Sequence, residues 1–197
     1  DHYMRDHVHK VQRYIVLISR EMGLPDALIQ RLEISAMMHD IGMLSLPDSV
    51  LLCPDELNAE QMEAMRSHPL QAVQMMQGME FLEQEIPAVR SHHEYFDGSG
   101  YPDGLAGAAI PLTARILTVA DSFDAITSPR TFRGAKTPTE ALREIQNGSG
   151  TQFDPTVVAA FLKVAEQLGD RLVIAPRDSA FKLRMPEFAP EPADQSI

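Results

Sequence analysis

The 197-residue sequence contains no tryptophan and one cysteine, Cys53. A single cysteine excludes an internal disulfide, argues against a thiolate-bound structural zinc and suits a reducing cytoplasm. Positive charge is scarce, with 17 Lys and Arg against 28 Asp and Glu, a formal net charge of −11 and a pI near 5.0. That balance excludes sequence-independent binding to a DNA or RNA polymer. No stretch reaches the roughly 18 to 20 uninterrupted apolar residues of a membrane helix, and no charged-then-apolar signal segment opens the chain. A soluble, cytoplasmic protein is expected. The first residue is Asp1 rather than methionine, and helix-like sequence follows almost at once. The expectation is a segment of a longer polypeptide with a regulatory domain upstream. What is present is 44% hydrophobic residues, enough for one core, and seven histidines, several beside acidic residues.

The periodicity is helical. Val11, Tyr14, Ile15 and Ile18 mark an amphipathic helix over about residues 4–22 ending at Gly23, with His7 on its inward stripe. A second helix is expected from Asp26, as N-cap after Pro25, to His39, delivering His39-Asp40 to the core. Asn58 and Gln61 form a capping box, and the helix they open should break near His68, so that Pro69 begins the next. The segment Asp97-Gly98-Ser99-Gly100-Tyr101-Pro102-Asp103-Gly104 is a loop directly after His92-His93-Glu94, with the histidine pair expected on a helix. Helices are expected from Pro111 to about Thr127, from the Thr137-Pro138-Thr139-Glu140 box to Gly148, and from Asp154-Pro155 to about Leu168. No sheet is expected through residue 168. Beyond Asp170, Leu172–Ile174 and Phe181–Leu183 could form short strands, and the prolines at 186, 190 and 192 indicate a loose tail.

The chemistry lies in His7, His39-Asp40, His68, His92-His93 and Asp121. Five imidazoles and two carboxylates form a nitrogen and oxygen donor set that suits Fe, Mn, Ni or Co at six-coordinate sites at least as well as Zn. Seven side chains exceed what one ion needs when water and substrate also bind, so two ions are the natural count. A carboxylate such as Asp40 can bridge cations roughly 3.5 to 4 Å apart, the spacing of two-metal phosphoryl hydrolysis.

The ordered set resembles the HD-GYP phosphodiesterases of the HD phosphohydrolase superfamily over about residues 5–162. The matching pieces are His39-Asp40-Ile41-Gly42, Leu46-Pro47-Asp48, His68, His92-His93-Glu94, Asp97-Gly98-Ser99-Gly100-Tyr101-Pro102, Ile110-Pro111-Leu112, Ala120-Asp121 and Phe153-Asp154-Pro155. The resemblance implies an all-α helical bundle, residues 1–168, with a metal centre in its core. Residues 169–197 would then be an irregular or β-hairpin-like extension. It also implies hydrolysis of cyclic di-GMP to pGpG or GMP through a metal-bridging hydroxide at a di- or trinuclear metal centre; with the donor count above, two divalent ions are expected, Fe or Mn before Ni, Co or Zn. By the resemblance, His7, His39, Asp40 and Asp121 look like the ligands of one ion. His68, His92 and His93, with Asp40 bridging, look like those of the second. Arg130 and Arg133 stand where the family holds substrate phosphates, and Tyr101 where a tyrosine lines the pocket. Asp124 is a candidate for proton handling or for orienting a ligand, and Glu94 shares that ambiguity. The GYP loop is associated in the family with contacts to diguanylate cyclase domains.

Two positions depart from the pattern. Met43 replaces the lysine of HDIGK and removes a charge beside the scissile phosphate, which predicts slower or absent turnover with metal binding kept. Tyr3 stands where the trinuclear subgroup has glutamate, which favours two ions. Three functions follow: an active cyclic di-GMP phosphodiesterase, a weakened or inactive member that signals by binding nucleotide or a partner domain, and a phosphohydrolase of another nucleotide. Outside the site, Met37, Met38, Met62, Met65, Met75 and Met76 are expected to fill core gaps, Cys53 to be buried, and His2 and His9 to face solvent.

Overall fold

The structure is a computed structural model; it describes residues 2–53, 55–129 and 134–173, with side chains from residue 6. Among them lie nine α-helices: α1 His2–Glu21, α2 Asp26–Met38, α3 Asp48–Leu51, α4 Ala59–Arg66, α5 His68–Met76, α6 Ile86–Arg90, α7 Leu112–Thr127, α8 Pro138–Asn147 and α9 Pro155–Leu168. No sheet forms among the described residues; the extended pairings there are isolated bridges, Asp97 with Ala106 and Ser149 with Phe153. No helix among them is long and apolar enough to cross a membrane.

The caps follow local chemistry. Asn58 and Thr137 both form complete capping boxes, with Gln61 and Glu140, and the Asp154 side chain accepts from the Thr156 amide. The expected cap at Asp26 is corrected: Pro25 holds the extended N-cap conformation and Asp26 is the first helical residue. At the α4–α5 junction the break falls at Ser67, so His68 itself opens α5 with Pro69 second.

Two apolar clusters organise the bundle. The larger gathers the inward faces of α1, α2, α7, α8 and α9, with Tyr14, Phe123 and Phe161 edge to face at its centre. The smaller is built on Ala72, Met76, Leu82 and Val89, from α5, α6 and the segment between them. Helix α2 serves both, giving Leu32 and Ala36 to the larger and Ile34 and Met38 to the smaller.

Beyond α9 the expected strand at Leu172 is replaced by a 3-10 turn, Gly169–Leu172. Leu172 is buried in the larger cluster, and Arg13 on α1 donates to the carbonyl oxygens of Arg171 and Leu172 at 2.9 and 3.5 Å. Residues 169–173 are therefore docked on the bundle. Phe181–Leu183 and the proline-rich tail lie outside the described residues. The methionine expectation holds for Met76 and Met38, whereas Met37, Met62 and Met75 are exposed. Cys53 is half-buried rather than buried, while His9 is exposed as expected. The side chain of His2 is outside the described set.

Candidate metal centre

The seven expected ligands come together where the two clusters meet. His7 projects from α1, His39 and Asp40 follow α2, and Asp121 lies on α7, all elements of the larger cluster. His68 opens α5, and His92 and His93 follow α6, on the smaller one. The pair was expected on a helix; instead α6 ends at Arg90, Ser91 closes it, and both histidines lie in the turn beyond. The donor atoms form two groups, His7 with His39 and Asp121, and His68 with His92 and His93, within 4.8 Å of one another in each.

Asp40 stands between the groups with one oxygen toward each. Its Oδ2 is 3.4 Å from His39 Nε2 and 3.9 Å from His7 Nε2, while Oδ1 is 3.4 Å from His68 Nε2. Asp121 Oδ1 is 3.4 Å from His7 Nε2 and 3.9 Å from His39 Nε2. Donors about 2.1 Å from one ion stand roughly 3 to 4 Å apart, so these separations leave room for a cation between the atoms.

Hydrogen bonds on the far side of each ring fix which nitrogen faces inward. His39 Nδ1 donates to the Ala36 carbonyl at 2.8 Å, His68 Nδ1 to Met65 at 2.8 Å and His92 Nδ1 to Val89 at 2.6 Å. Since a carbonyl only accepts, Nδ1 carries a proton in all three, and in the neutral ring Nε2 presents a lone pair to the centre. His68 and His92 then point lone pairs at each other across 3.2 Å, and His39 Nε2 is buried without a hydrogen-bond partner. Two facing lone pairs and an orphaned buried nitrogen are satisfied by a cation, so the donor set fits bound metal.

The electrostatics agree. Burial lowers the pKa of His92, and His93, His39 and His68 reinforce it, holding it well below the ordinary value. For Asp40 burial works against the charge, yet the imidazoles of His39, His68, His7 and His93 prevail and depress its pKa. His7 goes the other way: burial disfavours its cation, but the bond to Asp124 and the charges of Asp121, Asp124 and Asp40 raise its pKa.

A profile of the HD domain matches residues 2–157. The chain belongs to the HD domain family. Divalent metal binding goes with that family, as the two donor groups already indicate. The HD domain is 41% identical over 154 residues to the cyclic di-GMP phosphodiesterase response regulator RpfG of Xanthomonas campestris, covering 77% of this chain and 41% of RpfG. It is 38% identical over 155 residues to a cyclic di-GMP phosphodiesterase of Thermotoga maritima, covering 78% and 42%. The chain thus spans about two fifths of the length of these curated relatives. A solved cyclic GMP-AMP specific phosphodiesterase of Vibrio cholerae superposes with a TM-score of 0.67 at 20% identity, covering 88% of this chain and 46% of that one. That likeness shows the same fold.

Around the centre of this HD domain, several residues have settled places. Asp124 is fully buried behind His7, its Oδ2 accepting from Nδ1 at 2.7 Å, while Ser128 Oγ donates to Oδ1 at 3.1 Å. Lys10 Nζ stands 3.5 Å from the same Oδ1. Asp124 therefore meets the ring on the side away from the donor group. Glu94, also buried, accepts from the loop amides of Asp103 at 2.6 Å and Leu105 at 3.1 Å, and Arg90 grips Asp103 with two bonds of 2.7 Å. Both anchor the loop after the histidine pair.

That loop carries Tyr101 over the centre, its ring stacked on His93 at 4.9 Å and 26°. Gly100 permits the approach, because a Cβ there would meet the Tyr95 amide nitrogen at 2.2 Å and the His93 oxygen at 2.5 Å. Met43 lies half-buried in the 3-10 turn Ile41–Ser45 that follows Asp40. Arg130 and Arg133 lie outside the described residues, as does the side chain of Tyr3. Three supporting residues escaped the sequence: Lys10, Arg66, whose guanidinium lies 5.6 Å over the Tyr101 ring, and Thr118, which donates to the His92 carbonyl at 2.8 Å. Helical spacing would have found Lys10, three residues after His7; the other two contacts join segments far apart in sequence and leave no local signal.

Proposed function

We propose that this HD domain hydrolyses cyclic di-GMP, giving pGpG or GMP, with two divalent ions as cofactors, Fe or Mn before Ni, Co or Zn. The observation that carries the proposal is Asp40, whose two oxygens face two separate donor groups. The curated names of the two relatives supply the substrate class. Two ions held there would polarise the phosphodiester and make water acidic enough to act as nucleophile near neutral pH.

The chain's own residues set the conditions for that chemistry. Depression of the Asp40 and His92 pKa values keeps one a carboxylate and the other a neutral donor at neutral pH. Asp124 holds the His7 ring so that Nε2 faces Asp121. We assign it this positioning role in preference to proton transfer, because it lies on the far side of the imidazole. Tyr101, stacked on His93, forms one wall of the substrate pocket. Asp40 and Asp121 remain 22% and 17% exposed, leaving a route for a phosphate to reach the donors. Arg130 and Arg133 are proposed as further phosphate contacts on motif grounds, and the loop 97–104 as a surface for diguanylate cyclase domains. A cytoplasmic location suits that substrate.

Anaerobic purification with metal analysis, then incubation with cyclic di-GMP and identification of products, tests the proposal. Two ions per chain and release of pGpG or GMP are expected. Metal-loaded protein that leaves the nucleotide intact refutes the hydrolytic function, and protein that binds no divalent metal refutes the centre.

A further inference from the structure

We propose that Arg66 binds the second, non-scissile phosphate of the cyclic dinucleotide and so sets selectivity for a substrate with two phosphates. The inference rests on the phosphodiesterase function above. Arg66 is the last residue of α4, two positions before His68. Its guanidinium carbon lies 5.6 Å from the centroid of the Tyr101 ring, and that ring stacks on the His93 imidazole at 4.9 Å. Arg66 therefore touches the ring that touches the second donor group, two contacts from His93.

That cation is uncommitted. Arg31, Arg90 and Arg115 are paired with the carboxylates of Glu85, Asp103 and Asp154. Arg66 forms no ion pair among the described residues, although the chain carries an excess of acid, and its side chain is exposed. A positive residue is favourable at the end of any helix, but that role does not place the guanidinium over Tyr101.

The chemistry of the substrate completes the match. A cyclic dinucleotide bound with one phosphate at the donor groups carries its second phosphate away from them, and a guanidinium presents paired donors suited to phosphate oxygens. With Met43 supplying no charge beside the scissile position, the Arg66 guanidinium against Tyr101 is placed to hold the other anion.

The test compares metal-loaded wild type with Arg66→Met and Arg66→Lys. Binding of a phosphorothioate analogue of cyclic di-GMP is measured by calorimetry, and kcat and KM are measured on cyclic di-GMP and on bis(p-nitrophenyl) phosphate, which has one phosphate. Arg66→Met should weaken analogue binding and raise KM for the dinucleotide at least about tenfold. Metal content, kcat and hydrolysis of the one-phosphate ester should stay unchanged, and Arg66→Lys should recover part of the affinity. Wild-type affinity in Arg66→Met overturns the inference, as does an equal loss on both substrates, which would place Arg66 at the reacting phosphate. A metal-loaded wild type that neither binds the analogue nor hydrolyses the dinucleotide overturns the phosphodiesterase function, and this inference with it.

Discussion

Gly42→Ala tests whether the two donor groups depend on a close backbone approach. Gly42 stands two residues after Asp40, in the 3-10 turn that packs on α5. A methyl group added there would lie 2.0 Å from the His68 carbonyl oxygen and 2.5 Å from the Ala72 amide nitrogen, both backbone atoms of α5. Ordinary contact begins near 3.4 Å, so the turn and α5 must separate by roughly 1.4 Å. No side chain can rotate to absorb that. The stability loss should be about 3 kcal/mol, the upper part of the range for overpacking, or a fall in Tm of roughly 6 to 12 °C for a domain of this size. The same displacement carries Asp40 away from His68, and metal ligands tolerate errors of only about 0.2 Å. The group of His68, His92 and His93 should lose its ion, whereas the group of His7, His39 and Asp121 keeps its own. Calorimetric melting and metal analysis after dialysis measure both effects. Gly134→Ala is the matched control, since a Cβ there meets nothing within 4 Å. If Gly42→Ala retains two ions and the wild-type Tm, the close approach is irrelevant to the centre and the reasoning fails.

Asp124→Ala should weaken metal binding at the His7 group about 10- to 100-fold, while Asp124→Asn, which keeps an acceptor for Nδ1, should recover part of it; equal titration curves for wild type and Asp124→Ala would refute the positioning role. Met43→Lys restores a cation beside Asp40 and should speed cyclic di-GMP hydrolysis about tenfold or more, and no gain from a folded, metal-loaded variant would sink the explanation. In metal-free protein burial and the neighbouring imidazoles hold the His92 pKa well below its ordinary value of about 6.5, so below about pH 6.5 the unfolded chain gains a proton that the folded chain refuses, and stability present above that pH is lost as pH falls. His7, shifted upward, acts in the opposite sense, favouring the fold below about pH 6.5 and losing that contribution as pH rises through its folded pKa. His92→Gln should therefore reduce the fall in Tm between about pH 7.5 and about pH 5.5, and an undiminished fall would show that His92 is not the source.

Most of the helices and the meeting of seven candidate donor residues were legible in the sequence because both rest on local signals. Capping boxes at Asn58 and Thr137 and the apolar stripe of α1 are written in adjacent residues, and the order of the histidines and aspartates is a pattern in itself. The failures lie where local rules give way to packing. Ser91 ends α6 before the histidine pair, so that turn geometry aims the rings. Leu172 gives up an extended conformation because the larger cluster has a place for it. One helical turn from Asp121, Asp124 could have faced either side of His7, and only the fold places its carboxylate at Nδ1. Arg66 was invisible because its meaning depends on Tyr101, which reaches it only when the loop folds back over His93.

Three of the inward-facing imidazoles, His39, His68 and His92, are aimed by carbonyls three residues earlier in their own segments. His7 is aimed by α7, 117 residues away along the chain. An ion shared by His7, His39 and Asp121 would accordingly act as a covalent staple does, tying α1 to α7 and closing a loop of more than a hundred residues. For a disulfide of that span the loop-entropy estimate is about 4.7 kcal/mol. A chain whose lone cysteine allows no internal disulfide could thus possess a long-range crosslink, one made and unmade by metal exchange instead of oxidation.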